Sequence, residues 1–147
     1  MNARIALSLT AVGVIVGLSV FARADAPAGR YTITNGTVYD TKTKLTWQQA
    51  MPSSTYTWAD AQTYCSGLML AGAGWRLPTL KELLTIVDES RMNPSVDPKA
   101  FPSTPSDFFW SLSTVGGSTG TARDVFFGDG STNTYNVTSS FYVRCVR

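Results

Sequence analysis

The residue pattern predicts an α+β domain, with short strands first, two helices next and strands again at the end. Three observations carry this. Between Tyr31 and Gln48, β-branched and aromatic residues alternate with turn signals. Between Thr57 and Val87, apolar residues recur at helical spacing behind two threonines suited to capping. From Phe108 onward, short apolar runs again lie between Gly, Ser and Asn turns.

A chain of 147 residues, 44% hydrophobic and 15% charged, has the size and composition of one globular core. Histidine is absent. That removes the commonest general base, the commonest zinc ligand and every Ser-His or Cys-His dyad, leaving carboxylates as the conventional groups for acid/base work. A binding or structural module is therefore expected, not an enzyme, and no cofactor is implied.

The first segment reads as a targeting signal. Arg4 supplies an early positive charge, Ile5 to Phe21 is largely apolar, and Ala22-Arg23-Ala24 has the small-x-small form of a cleavage site. Residues 1–24 are expected to be a signal peptide, leaving 25–147 as the domain. A cut after Ala26 is the second candidate, disfavoured by Pro27. An uncleaved anchor is the alternative, but the run is at the short edge for crossing about 30 Å of hydrocarbon. The product is expected to be secreted or periplasmic and free of the membrane. Arg4 and Arg23 leave with the signal, so the twelve basic residues become ten against ten acidic ones. A neutral chain with no basic stripe gives no support to nucleic-acid binding.

Two cysteines, Cys65 and Cys145, remain in a chain sent to an oxidising compartment, where they are expected to pair. Closing a loop of about 80 residues removes denatured-state entropy worth roughly 4.5 kcal/mol in the chain-entropy model. The alternative is two free thiols acting as nucleophile or metal ligands, which the lack of CxxC spacing and of histidine disfavours.

Along the domain, Tyr31 to Ile33 and Thr37 to Tyr39 flank the turn dipeptide Asn35-Gly36, and Leu45 to Trp47 follows a turn at Asp40 to Thr43. Thr57 is placed to cap a helix with Asp60 in its first turn, and Trp58, Ala61, Tyr64 or Cys65, and Leu68 form its buried stripe. Thr79 and Glu82 have capping-box spacing, and Leu80, Leu83, Leu84 and Val87 mark one apolar face of a second helix. Four prolines between Asn93 and Pro105 indicate a loop of about twenty residues, either a binding loop or padding. In Phe108 to Ser113, alternation points Phe108, Trp110 and Leu112 inward and Phe109, Ser111 and Ser113 outward. Thr121 to Phe127 and Thr132 to Val137 flank the turn Gly128-Asp129-Gly130, and Ser140 to Val146 reads as a last strand with Phe141, Val143 and Cys145 on one face.

Five motifs occur in a fixed order: Gly36-Thr-Val-Tyr-Asp40 through Leu45-Thr-Trp47, Thr57-Trp-Ala-Asp-Ala61 through Tyr64-Cys65, Gly74-Trp-Arg-Leu-Pro-Thr79 through Leu83, Phe109-Trp-Ser111, and Tyr142-Val-Arg-Cys-Val-Arg147. Together they resemble the Lcl C-terminal domain family, a bacterial domain of unknown function found in secreted and surface proteins. The likeness runs from about Gly36 to Arg147. It departs from the usual pattern at Lys44, where glycine commonly closes the turn, and at Gly74, where an acidic residue usually stands near Arg76. The family is similar to the C-type-lectin-like fold, in the branch shared with formylglycine-generating enzymes. This resemblance implies two helices flanking a twisted antiparallel sheet.

By the same resemblance, to a collagen-like adhesin linked to sulfated glycans, the implied function is recognition of carbohydrate or sulfated surface polymer in adhesion. Sugar binding needs aromatic faces and a few directed polar groups. Trp110, Tyr135 and Tyr142 are the stacking candidates, Asp129 and Asn133 the hydroxyl-binding ones, and Arg123 the anion-binding one. For each, a structural role is the competing reading. The Glu-Pro-Asn and Trp-Asn-Asp signatures of calcium-dependent lectins are absent, and Asp124 with Asp129 falls short of the six to eight oxygens calcium takes. A carboxylate pair such as Asp88 and Glu89 is the form acid/base work would take, but adjacent acids at a helix end usually diverge into solvent. Arg76 and Arg144 are expected to bridge carbonyls or a carboxylate across loops. The competing class is a protein-interaction or assembly module that binds a surface protein through the loops at Asn93 to Pro105 and Gly116 to Gly120.

Overall fold

A computed structural model describes residues 27–116 and 118–147 of the chain. The signal peptide expected over residues 1–24 lies outside these described residues. Asn35 and Gly36 both take positive φ, 49° and 76°, the geometry a two-residue hairpin turn requires, and they join β1 (Tyr31–Thr34) to β2 (Thr37–Asp40). Asp40 then organises the next turn by accepting from the backbone N–H groups of Lys42 and Lys44, and β3 (Thr46–Gln48) pairs back on β2. The result is a three-stranded antiparallel sheet in the order β1-β2-β3.

Both helices begin where capping chemistry places them. Thr57 Oγ1 accepts from the Asp60 N–H at the start of α1 (Trp58–Gly67), and Ala61 and Cys65 are the residues this helix buries. Thr79 and Glu82 form a reciprocal capping box on α2 (Leu80–Leu84). The apolar face of α2 is narrower than the spacing implies. Leu83 is fully buried whereas Leu84 is exposed, and Ile86, just beyond the helix, packs inward in its place.

A second antiparallel sheet follows in the order β4 (Phe108–Thr114), β5 (Thr121–Phe126), β6 (Ser131–Asn136). Here the expectation of one half-buried face fails. Phe109 and Trp110 are both fully buried and Leu112 is exposed, because core packs on both sides of this sheet. Phe109, Val125 and Phe127 join one cluster with Leu83, Val38 and Trp47, while Trp110 and Ala122 join another with Ala61, Cys65 and Trp75. The two helices therefore flank the second sheet, α2 against one face and α1 against the other.

The C-terminal residues are not a regular strand, which corrects that expectation. They stitch the domain by isolated bridges instead: Val146 pairs with both Trp47 and Arg76, Tyr142 with Phe109, and Phe141 with Tyr56. Residues Val143 to Val146 are all buried, so no alternating face exists. Cys65 and Cys145 form a disulfide with Cα atoms 5.4 Å apart, joining α1 to this segment. The proline-rich loop is neither padding nor a free surface. Val96, Ala100 and Phe101 lie in the core, and Ser95 N–H donates to Phe127 O at 2.7 Å.

Candidate functional site

Side chains alternate across a strand, so the register of the second sheet decides which candidates meet. On β5, Ala122, Asp124 and Phe126 share one face and Arg123 and Val125 the other. Asp124 lies opposite Trp110 on β4 and Asn133 on β6; Phe126 lies opposite Phe108, and Ala122 opposite Tyr135. Arg123 faces away, beside Thr134.

The six residues singled out in the sequence therefore do not form one site. Trp110 is 0% exposed, its indole N–H donates to Tyr56 O at 2.9 Å, and its ring packs on Phe141, so no face is left for a sugar. Tyr142 packs its ring 5.6 Å from Phe109, in the opposite core cluster. Asp129 accepts from the Ser131 N–H at 2.9 Å in the hairpin turn, and these contacts with Ser131 hold its carboxyl below the usual range. Arg123 is exposed, but on the far face. Asn133 and Tyr135 alone share a surface.

Around those two the structure assembles an aromatic ridge. Phe108 packs against Phe126, Tyr135 and Phe141 at centroid distances of 4.9, 5.2 and 5.1 Å, and Tyr135 meets Phe141 at 4.9 Å. Tyr135 is 37% exposed, and Phe108, Phe126 and Phe141 are half-buried. Phe141 exchanges two backbone hydrogen bonds with Tyr56, whose ring lies 5.1 Å from Tyr64. There the ridge opens into a cleft of about 490 Å³ lined by Thr55, Tyr56, Thr57, Asp60, Tyr64 and Ser140, among others. Tyr56 and Tyr64 were missed as site residues. The available signal was Thr55-Tyr56-Thr57, an aromatic between two hydroxyls immediately before a helix.

Asp124 lies within the ridge. It is 0% exposed, its Oδ2 has no hydrogen-bond partner, and Asn133 Nδ2 stands 3.5 Å from Oδ1. Burial pushes the carboxyl up to about 6, against the smaller opposing effect of Asn133. Among the described residues, no group of three or more His, Cys, Asp or Glu side chains gathers as a metal site, and no helix is long and apolar enough to cross a membrane.

The Lcl C-terminal domain model matches residues 36–147. The chain belongs to the Lcl C-terminal domain family. No curated protein matches it. In this Lcl domain the shared motifs have structural roles. Arg76, which faces no acid at Gly74, makes a bidentate pair with Glu82 at 2.8 and 2.6 Å. That pair, with the Thr79 donors, holds the Glu82 carboxyl down at about 2. Arg144 is fully buried, donates to Gln48 O, Gln49 O and Thr104 Oγ1, and lies 4.8 Å from the Phe101 ring centroid. Both arginines bridge as expected, Arg76 to a carboxylate and Arg144 to carbonyls. Asp88 is engaged by Arg91 at 2.9 Å, while Glu89 is exposed.

Proposed function

We propose that this Lcl domain binds carbohydrate along the aromatic ridge and its cleft, as a secreted, non-enzymatic attachment module for a glycan or surface polymer. The observation that carries the reading is continuity: half-exposed rings from Phe126 to Phe141 run into tyrosines 56 and 64 beside threonine and serine hydroxyls. Sugar rings present apolar C–H faces to aromatics and hydroxyl edges to polar groups, and this surface offers both. The disulfide fits an oxidising compartment. The reading extends to the fold, which we assign as C-type-lectin-like on the flanking helices and the C-terminal residues paired back on β3.

A glycan array probed with the purified protein tests the proposal, together with Tyr135→Ala and Tyr56→Ala. Binding lost in both variants at unchanged melting temperature supports it; binding unaffected by both contradicts the site. If no glycan is bound, the protein-partner reading takes its place. That reading is favoured by Met92, 69% exposed at a second cleft of about 380 Å³ between Ser90 and Pro98, since exposed methionine suits adaptable protein contacts.

A further inference from the structure

Among the described residues, three buried side-chain atoms have no hydrogen-bond partner: Trp47 Nε1, Arg144 Nε and Asp124 Oδ2. The first belongs to a neutral ring. The second belongs to a guanidinium already held by three acceptors and an aromatic face. Asp124 differs from both. It is an acid whose sole side-chain partner is a neutral amide at the outer limit of hydrogen bonding. A buried carboxylate with one oxygen left without a donor is costly, and it is retained where something else supplies one.

The surroundings of Asp124 specify what that supplier is. On its face of the sheet, Trp110 and Asn133 stand directly opposite, Phe126 is its neighbour on β5, and Phe108 and Tyr135 are diagonal to it on the flanking strands. Aromatic faces carry negative potential and attract cations. The cleft at the other end of the ridge contributes a second carboxylate, Asp60, and neither its lining residues nor the ridge residues include a lysine or arginine. Arg123, the nearest arginine in sequence, is on the far face. A sulfate group would meet a carboxylate and π-faces here with no cation to receive it. An ammonium group would meet the donor-starved carboxylate, aromatic faces and no competing cation. Asn133 is exposed, so its side chain can rotate off Asp124 and be replaced by the incoming group.

We propose that the ridge recognises a sugar bearing a protonated amine, whose ammonium group replaces Asn133 Nδ2 as donor to the Asp124 carboxylate while Phe108, Phe126 and Tyr135 flank the cation. This rests on the carbohydrate reading above and sharpens its ligand class. A hydrogen bond to a charged group contributes about 1.5–3 kcal/mol, so an amine should be preferred over its acetylated form by about ten- to hundredfold.

The test titrates the purified protein with a glucosamine oligosaccharide, an N-acetylglucosamine oligosaccharide of equal length and a heparin-type sulfated polymer. The amine form should bind tightest. Asp124→Asn should erase that preference, with a melting temperature at neutral pH no lower than that of the parent. Asn133→Ala, at an exposed position, should keep or strengthen amine binding. Equal or tighter binding of the acetylated or sulfated form overturns the amine inference while leaving carbohydrate binding intact. An amine preference that survives Asp124→Asn, or is lost in Asn133→Ala, overturns the assignment to this carboxylate. Binding of none of the three overturns both readings.

Discussion

Replacing Asp124 by Asn should make the protein more stable at neutral and alkaline pH, which is unusual for a substitution at a fully buried polar position. Folding moves this carboxyl from an ordinary 3.8 up to about 6, with burial the leading cause. Between those values the native state holds a proton that the unfolded chain has released, so the free energy of unfolding falls as pH rises through 6. The contribution is complete below about pH 4 and gone above about pH 7. Two pH units correspond to a ceiling of about 3 kcal/mol. The covering here is thin, with Asn133 exposed and Phe126 half-buried beside the carboxylate, so solvent screening reduces this to about 1–2 kcal/mol. Urea denaturation of parent and variant at pH 4 and pH 8 measures it through the transition midpoints. The variant should gain about 1–2 kcal/mol at pH 8 and nothing at pH 4. A variant less stable at pH 8 would mean that the carboxylate makes a stabilising contact in the folded chain, and the reasoning about an unpartnered charge would fail.

Substituting both Cys65 and Cys145 by Ala removes a cross-link spanning 80 residues and should cost about 4.5 kcal/mol in the chain-entropy model, read as a lower urea midpoint relative to the oxidised parent. Lys44 takes φ 63°, a conformation that suits glycine, so Lys44→Gly should stabilise by about 0.5–1 kcal/mol in thermal melts. Glu82 is held at about 2, mainly by its hydrogen bonds to Arg76, so its contribution is present above about pH 4.5 and fades as pH falls toward 2. Because Arg76 is 43% exposed, Glu82→Gln should cost only about 1 kcal/mol at pH 7, and the difference should close in an acid titration.

Local chemistry was legible in the sequence, and long-range register was not. Thr57, Thr79 with Glu82, and Asn35-Gly36 act within four residues of themselves, so their spacing alone specifies helix starts and a hairpin. The disulfide was legible from the chain's two cysteines, standing behind a segment expected to be a signal peptide. Phe108 to Ser113 misled because alternation presumes one wet face, whereas packing on both sides of the second sheet buries adjacent Phe109 and Trp110. The same cause dispersed the candidate site: whether Arg123 or Asp124 shares a face with Tyr135 depends on pairing across a hairpin, which residue types do not disclose. Tyr56 and Phe141 lie far apart in the chain and meet through an isolated bridge, a contact with no sequence period.

Residue-level mapping of oligosaccharide binding by heteronuclear NMR tests the account most directly. Titration with a glucosamine oligosaccharide should shift the amides of Asn133, Tyr135, Phe141, Tyr56 and Tyr64 together, leaving Arg123, Thr134 and the Ser90 to Pro98 segment in place. Shifts confined to Arg123 and Thr134, or to that segment, would contradict it.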